Sequence, residues 1–254
     1  MNFGINVVHH LPGVGANLQD HYVARVSHRV RHAKSINSLS RGTNLLKEIA
    51  TWAFSGKGAL TFGVTSAMVF SRSREGLSSP DLQLLFTPAS YSERTLGKLE
   101  QDDGMTVAVC PVRPSSRGTL MAVSSDPFVR PEIRPNYLSD PDDVRVLLAG
   151  IHQTREIFSQ PALQRYSSKE TAPGMQIQTS EELESFAREN GSIIYHPVST
   201  CRMGDDAMAV VDPRLRVHGI KGLRVVDASI MPTVTTGNTN APTIMIAEKG
   251  ADMI

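Results

Sequence analysis

The stretch Ile193-Ile194-Tyr195-His196-Pro197-Val198-Ser199-Thr200-Cys201-Arg202-Met203-Gly204 decides how this chain is read, together with Gly222-Leu223-Arg224-Val225-Val226-Asp227-Ala228 and Gly237-Asn238-Thr239-Asn240-Ala241-Pro242. Two polar residues able to do chemistry, His196 and Asn238, each follow an apolar run and precede a Gly- or Pro-marked bend. Pro197 cannot donate to a ladder, so His196 is expected where a strand leaves its sheet. Leu223-Arg224-Val225-Val226-Asp227 reads as a fully buried strand with an acid at its carboxyl end, the edge where open α/β sheets gather ligands. Pro242 suits the first helical position of a terminal helix over Thr243–Ile254. A loop entering such a helix presents unpaired N–H groups and a positive dipole end, which suits an anion or a ring that becomes anionic.

Upstream, the pattern builds a sheet and helices around this segment. Ile5–Val8 has the character of a short strand. Gly13-Val14-Gly15-Ala16-Asn17-Leu18 carries Leu where a dinucleotide fingerprint needs its third glycine, and the following Tyr22–Val30 alternates like a strand; the loop is a turn rather than a phosphate cradle. Leu45, Leu46, Ile49, Trp52 and Ala53 recur at helical spacing until Gly56-Lys57-Gly58. Asp81–Phe86 and Met105–Val112 are strand-like, and Arg117–Ser124 with Glu132–Asn136 flank an Asp126-Pro127 turn. Asp140-Pro141-Asp142-Asp143 opens a helix whose buried stripe is Val144, Leu147, Leu148, Ile151 and Phe158. His152 lies beside that stripe as a helix-surface or satisfied core histidine. Thr179 with Glu182 forms a capping box, and Asn190-Gly191 stops that helix.

Composition removes several function classes. With 26 basic and 25 acidic residues the formal charge is +1, so no large field draws nucleic acid or an anionic membrane, and the Arg25–Lys34 cluster is a solvated face. Cys110 and Cys201 make no disulfide framework and lack metal-ligand spacing. No apolar run approaches the roughly 18 residues of a membrane helix, and no signal-peptide pattern opens the chain. A soluble, cytoplasmic protein without metal is expected.

His196 through Gly204, Val211-Asp212-Pro213 through Gly219, Gly222 through Pro232 and Gly237 through Lys249 together resemble the C-terminal region of the glucose-methanol-choline (GMC) flavoprotein oxidoreductases. Leu11-Pro12-Gly13-Val14-Gly15-Ala16-Asn17-Leu18-Gln19-Asp20-His21 is similar to the junction where that family's flavin domain passes into its substrate domain. The resemblance implies an α+β and α/β fold: a substrate-binding domain with antiparallel sheet and helices over 22–190, a remnant of the FAD-binding domain over 1–21, and a C-terminal segment over 191–254 that completes the Rossmann-like FAD domain. It implies FAD as cofactor and oxidation of a primary alcohol, choline-like among others, to an aldehyde. His196 then accepts the hydroxyl proton while hydride passes to the flavin N5, and Asn238 hydrogen-bonds the substrate oxygen, with Asn240 as the competing residue.

The same resemblance puts Asp227 and Ala228 near the ribityl or pyrophosphate, and Asn238, Thr239 and Asn240 near the flavin pyrimidine edge. Cys201, Asp20 and His21 are assigned structural roles. Dioxygen and a quinone-like carrier both stay open as electron acceptor. The chain holds no Gly-x-Gly-x-x-Gly unit, so the family's N-terminal FAD-binding part is expected to be missing, with association through an exposed sheet edge as a consequence. The second reading is a catalytically silent fragment of such an enzyme that binds no FAD of its own.

Overall fold

The computed structural model describes residues 3–92 and 97–254. Met1 and Asn2 of the expected 1–21 segment lie outside the described residues. The elements are β1 (Tyr22–Val30), α1 (Ile36–Leu39), α2 (Gly42–Ser55), β2 (Ala67–Ser71), β3 (Leu82–Thr87), β4 (Gly104–Pro111), β5 (Thr119–Met121), β6 (Glu132–Arg134), α3 (Pro141–Ser159), α4 (Pro161–Gln164), β7 (Ser167–Ala172), α5 (Ser180–Asn190), β8 (Ser192–Ile193) and α6 (Asn240–Ala251). They form two compact units. The first gathers Met1–Tyr22, Val112–Asp143 and Ile193–Ile254; the second gathers Val23–Pro111 and Val144–Ser192. Residues 112–143, grouped with 22–190 in the sequence-based division, thus fall in the unit that contains His196.

The second unit is an antiparallel sheet of order β2-β3-β4-β1-β7 with helices. The alternation in Tyr22–Val30 and the apolar runs of β3 and β4 produce it: Ala24 pairs with Val109 and Val26 with Val107, while Leu84 pairs with Val109 and Phe86 with Val107. Val26, Leu82, Leu84 and Val109 are buried, and so are the α3 residues Leu147, Ile151 and Phe158. Removing each such side chain from water contributes about 1.5–3 kcal/mol. Gly150 lets α3 lie close to the sheet, since a Cβ there would stand 2.4 Å from Val109 Cγ1 and 2.9 Å from Leu82 Cδ2. At the helix start the Asp142 amide donates to Asp140 Oδ1 at 2.8 Å, as the sequence anticipates. The capping box of α5 is also present, with the Glu182 amide on Thr179 Oγ1 at 3.2 Å and the Thr179 amide on Glu182 Oε2 at 3.0 Å.

Helix α2 forms where its apolar spacing predicts and ends on Gly56 at φ +66°, but none of its residues is buried. Leu46, Ile49 and Trp52 stand in solvent.

The first unit is held by an irregular core of Val198, Val210, Val211, Leu215, Val217, Ile230, Met231, Val234 and Ile246. Its regular elements are the β5–β6 hairpin and α6; elsewhere single bridges join extended segments, such as Val211 to Val217 and Arg216 to Arg224. Glycines 13 and 15 serve close backbone approach rather than ligand binding: a Cβ at either would meet a carbonyl oxygen at 2.0 Å, of Met208 and Leu120 respectively.

Four local expectations are corrected. Ile5–Val8 forms no strand, and Ile5, Val7 and Val8 are exposed. The expected strand at Ile193-Ile194-Tyr195 shortens to β8, because Tyr195 takes φ +60° and turns the backbone out of extension. The terminal helix starts at Asn240, which puts Pro242 at its third position. Leu223–Asp227 is not a fully buried strand: Leu223 is 48% exposed. One side of it bonds residues 215–217, through Val225 N to Leu215 O and Val217 N to Leu223 O, and no strand pairs its other side among the described residues.

Candidate active site

The site lies within the first unit and is assembled from three stretches that meet at His196. The segment Asn17–His21 runs beside Pro197–Ser199, bonded by Gln19 N to Val198 O at 3.2 Å and Val198 N to Gln19 O at 2.9 Å. Ser199 is fully buried at φ +81°, a left-handed turn that aims its hydroxyl inward. That hydroxyl accepts from Asn17 Nδ2 at 2.7 Å and Gln19 Nε2 at 3.2 Å and donates to the Pro232 carbonyl at 3.0 Å. Gln19 completes the clamp by accepting from the Val234 amide at 3.2 Å. The loop leading to Asn238 is thereby tied to the turn carrying His196.

His196 is 7% exposed. Its Nδ1 faces His21 Nδ1 at 2.9 Å, and its Nε2 faces Asn238 Nδ2 at 3.4 Å. The protons can be assigned from the partners. His21 Nε2 stands 3.3 Å from the Val112 carbonyl, which only accepts, so that nitrogen carries hydrogen. Burial first, and then the adjacent His196, bring the His21 pKa from 6.5 to about 4, so the ring is neutral and its Nδ1 is an acceptor. His196 must then donate from Nδ1. Neutral His196 consequently presents the lone pair of Nε2 to the side where the Asn238 amide can donate.

Burial also lowers the His196 pKa, and the charge of Asp20 opposes that shift. Asp20 is 5% exposed and accepts three bonds: from the His21 amide at 2.7 Å, the His196 amide at 2.8 Å and the Tyr137 hydroxyl at 2.9 Å. Tyr137 packs against Tyr22, ring centroids 5.1 Å apart, and burial with the nearby carboxylate raises its pKa.

Of the residues singled out in the sequence, the structure brings together His196 and Asn238, while Asn240 makes no bond to His196 and begins α6. Thr239 is its N-cap residue but offers no side-chain cap, which leaves first-turn N–H groups uncommitted to a cap. Asp227 and Ala228 sit at a 3₁₀ turn, Ala228–Ile230, where Asp227 Oδ1 accepts from the Ser229 amide at 2.7 Å; among the described residues no hydrogen bond links them to His196. Cys201 packs on the core cluster, and burial raises its thiol pKa, in keeping with a packed residue. Sequence reasoning left Asp20 and His21 structural and did not single out Tyr137 or Ser199. The available signal was the buried-polar run Gln19-Asp20-His21 inside a family-like motif.

A neutral imidazole nitrogen beside a carboxamide is an arrangement that can accept a proton and donate a hydrogen bond to an oxygen. Residues 114–247 match the GMC oxidoreductase C-terminal model, and the chain belongs to the GMC oxidoreductases. The chain is 42% identical over 250 residues to the oxygen-dependent choline dehydrogenase of Serratia proteamaculans, covering 98% of this chain and 45% of that protein. It is 43% identical over 252 residues to the oxygen-dependent choline dehydrogenase of Proteus mirabilis, covering 99% and 45%. Among solved structures it is similar to a variant of the formate oxidase of Aspergillus oryzae RIB40, with TM-score 0.89 and 25% identity over 99% of this chain and 49% of that one. The pyridoxine 4-oxidase of Mesorbium loti gives TM-score 0.80 and 26% identity, covering 98% and 45%. The chain spans about half the length of the curated relatives it matches. No helix of the described residues is long and apolar enough to cross a membrane.

Proposed function

We infer that this chain carries the base and the oxygen-binding donor of an FAD-dependent enzyme that oxidises a primary alcohol to an aldehyde. The observation that carries the reading is the chain of contacts through His196: His21 Nε2 faces the Val112 carbonyl, His21 Nδ1 accepts from His196 Nδ1–H in the tautomer this favours, and His196 Nε2 faces Asn238. An alcohol approaching that nitrogen gives up its hydroxyl proton to Nε2 as the carbinol carbon loses hydride. The Asn238 carboxamide donates to the oxygen as negative charge grows, without any titration of its own. The proton then resides on an imidazolium that the charge of Asp20 favours.

FAD, when bound, supplies the hydride acceptor. The chain's residues fit the edge of such a group. The N-terminus of α6, uncapped by Thr239, offers backbone donors and the positive end of a 12-residue helix to an electron-rich ring, beside Asn238 and Asn240. Asp227 and Ala228, at the end of the Leu223–Asp227 segment, are the remaining holding residues of this reading. The relatives named as choline dehydrogenases favour a choline-like alcohol, and their description as oxygen-dependent favours dioxygen over a quinone-like carrier as the acceptor. The second reading, a silent chain that binds no FAD, is favoured by the open side of Leu223–Asp227.

The test is the visible spectrum of the purified chain after incubation with FAD and gel filtration, followed by anaerobic addition of choline and simple primary alcohols. Retained flavin that bleaches with an alcohol is expected. His196→Ala should slow the bleaching by about 10²–10⁴-fold, the usual contribution of a general base. Flavin lost on the column sinks the first reading for this chain and supports the second.

A further inference from the structure

Asp20 is a buried carboxylate with no cationic side chain bonded to it among the described residues. Leaving a charge in such a place costs several kcal/mol unless donors surround it. Its donors are neutral and fixed: the amides of His21 and His196 on Oδ1, and the Tyr137 hydroxyl on Oδ2. The Oδ1 contacts span two stretches far apart in the chain, so the carboxylate fixes where His196 begins its turn. The preceding residue, Tyr195, is left-handed at φ +60°, a conformation that a non-glycine residue keeps only when its surroundings hold it.

We propose that Asp20, locked by Tyr137, is the positioning residue of His196: it pins the backbone of the turn and supplies the buried negative charge against which the imidazolium forms. Within this unit the titratable groups facing His196 are Asp20 and His21, with Tyr137 behind Asp20; Asn238 on the opposite side of the ring does not titrate. Burial opposes protonation of His196, whose ring is 2.9 Å from the neutral His21. Asp20 is the group that offsets this. Burial and the carboxylate keep Tyr137 protonated, and it therefore remains a donor throughout the pH range in which His196 titrates. A neutral lock leaves the charge of Asp20 uncompensated and available to the ring, as an arginine in the same place would not.

This inference rests on the reading of His196 as the base, yet its test needs neither flavin nor turnover. The chain labelled with ¹⁵N-histidine is titrated by NMR, following the His196 ring in the wild type, Asp20→Asn and Tyr137→Phe. Asp20→Asn keeps an oxygen for the two amides and removes the charge, and the His196 midpoint should fall by about half to one pH unit. Tyr137→Phe removes a donor that shares the charge, and the midpoint should rise. A folded Asp20→Asn chain with an unchanged midpoint overturns the proposal. If that variant does not fold, an unmoved or lowered midpoint in Tyr137→Phe overturns it instead. A chain that fails to bleach flavin while showing both shifts would refute alcohol oxidation and leave the positioning role standing.

Discussion

Acidification from neutral pH toward about 4 should destabilise this chain by about 3 kcal/mol through His21 alone. The His21 side chain has no solvent exposure, and its ring is engaged by His196, the Val112 carbonyl and the Thr235 backbone. Burial is the main reason its pKa falls from 6.5 to about 4. Above the upper value the ring is neutral whether folded or unfolded, and it contributes no pH dependence. Below it the unfolded chain takes up a proton that the folded chain refuses, and stability falls by about 1.4 kcal/mol for each pH unit until the folded form also titrates. The stability is therefore present above pH 6.5 and is lost between there and about 4. Carboxylates titrate at the acid end of the same window, so the useful quantity is the difference from His21→Gln, which still offers the Val112 carbonyl a donor but cannot titrate. Urea unfolding followed by circular dichroism at about pH 7, 6 and 5 supplies it. The variant should start less stable and lose less, the two curves closing by about 2 kcal/mol by pH 5. Parallel curves would refute the argument that burial keeps His21 neutral.

Two further outcomes rest on packing and pairing in the second unit. Gly150→Ala in an exposed helix would stabilise by up to about 1 kcal/mol, but a Cβ at 2.4 Å from Val109 Cγ1 forces β4 or α3 to shift, and overpacking of this kind costs about 1–3 kcal/mol. A net loss in the denaturation midpoint is expected, and a gain would show that α3 has room. Glu170, its side chain 2% exposed, accepts from Arg155 Nε at 3.0 Å and Nη2 at 2.7 Å and from the Gly174 amide at 3.0 Å. Glu170→Gln leaves the largely buried guanidinium without its counterion, and equilibrium unfolding should report a loss of about 3–5 kcal/mol; a loss under about 1 kcal/mol would mean that Arg155 is solvated.

The elements legible in the sequence are those whose cause is local. The period-two pattern of Tyr22–Val30, the stripe from Val144 to Phe158 and the capping box at Thr179 each depend on neighbours within a few residues, and each element forms where its pattern lies. The pair His196 and Asn238 was visible through its motifs, and the two side chains do meet. The roles of Asp20 and His21 were not visible, because they consist of bonds to a turn 175 or 176 residues away. Apolar content likewise says that a segment seeks burial without saying what covers it. Leu223–Asp227 and the stripe of α2 both have strand or helix patterns, and both retain exposed leucines or tryptophan.

The first unit is sewn from three separated pieces of chain, whereas the second has all its pieces once Ser192 exists. During vectorial synthesis the antiparallel sheet and its helices can therefore close before residues 193–254 are added. Asp20 and His21, made well before residue 193, keep their polar groups in water until His196 emerges. Asn238 arrives later still. The contact between His196 and Asn238 therefore forms only after every residue of the second unit has been made, and an interruption between the two would yield a formed sheet without it.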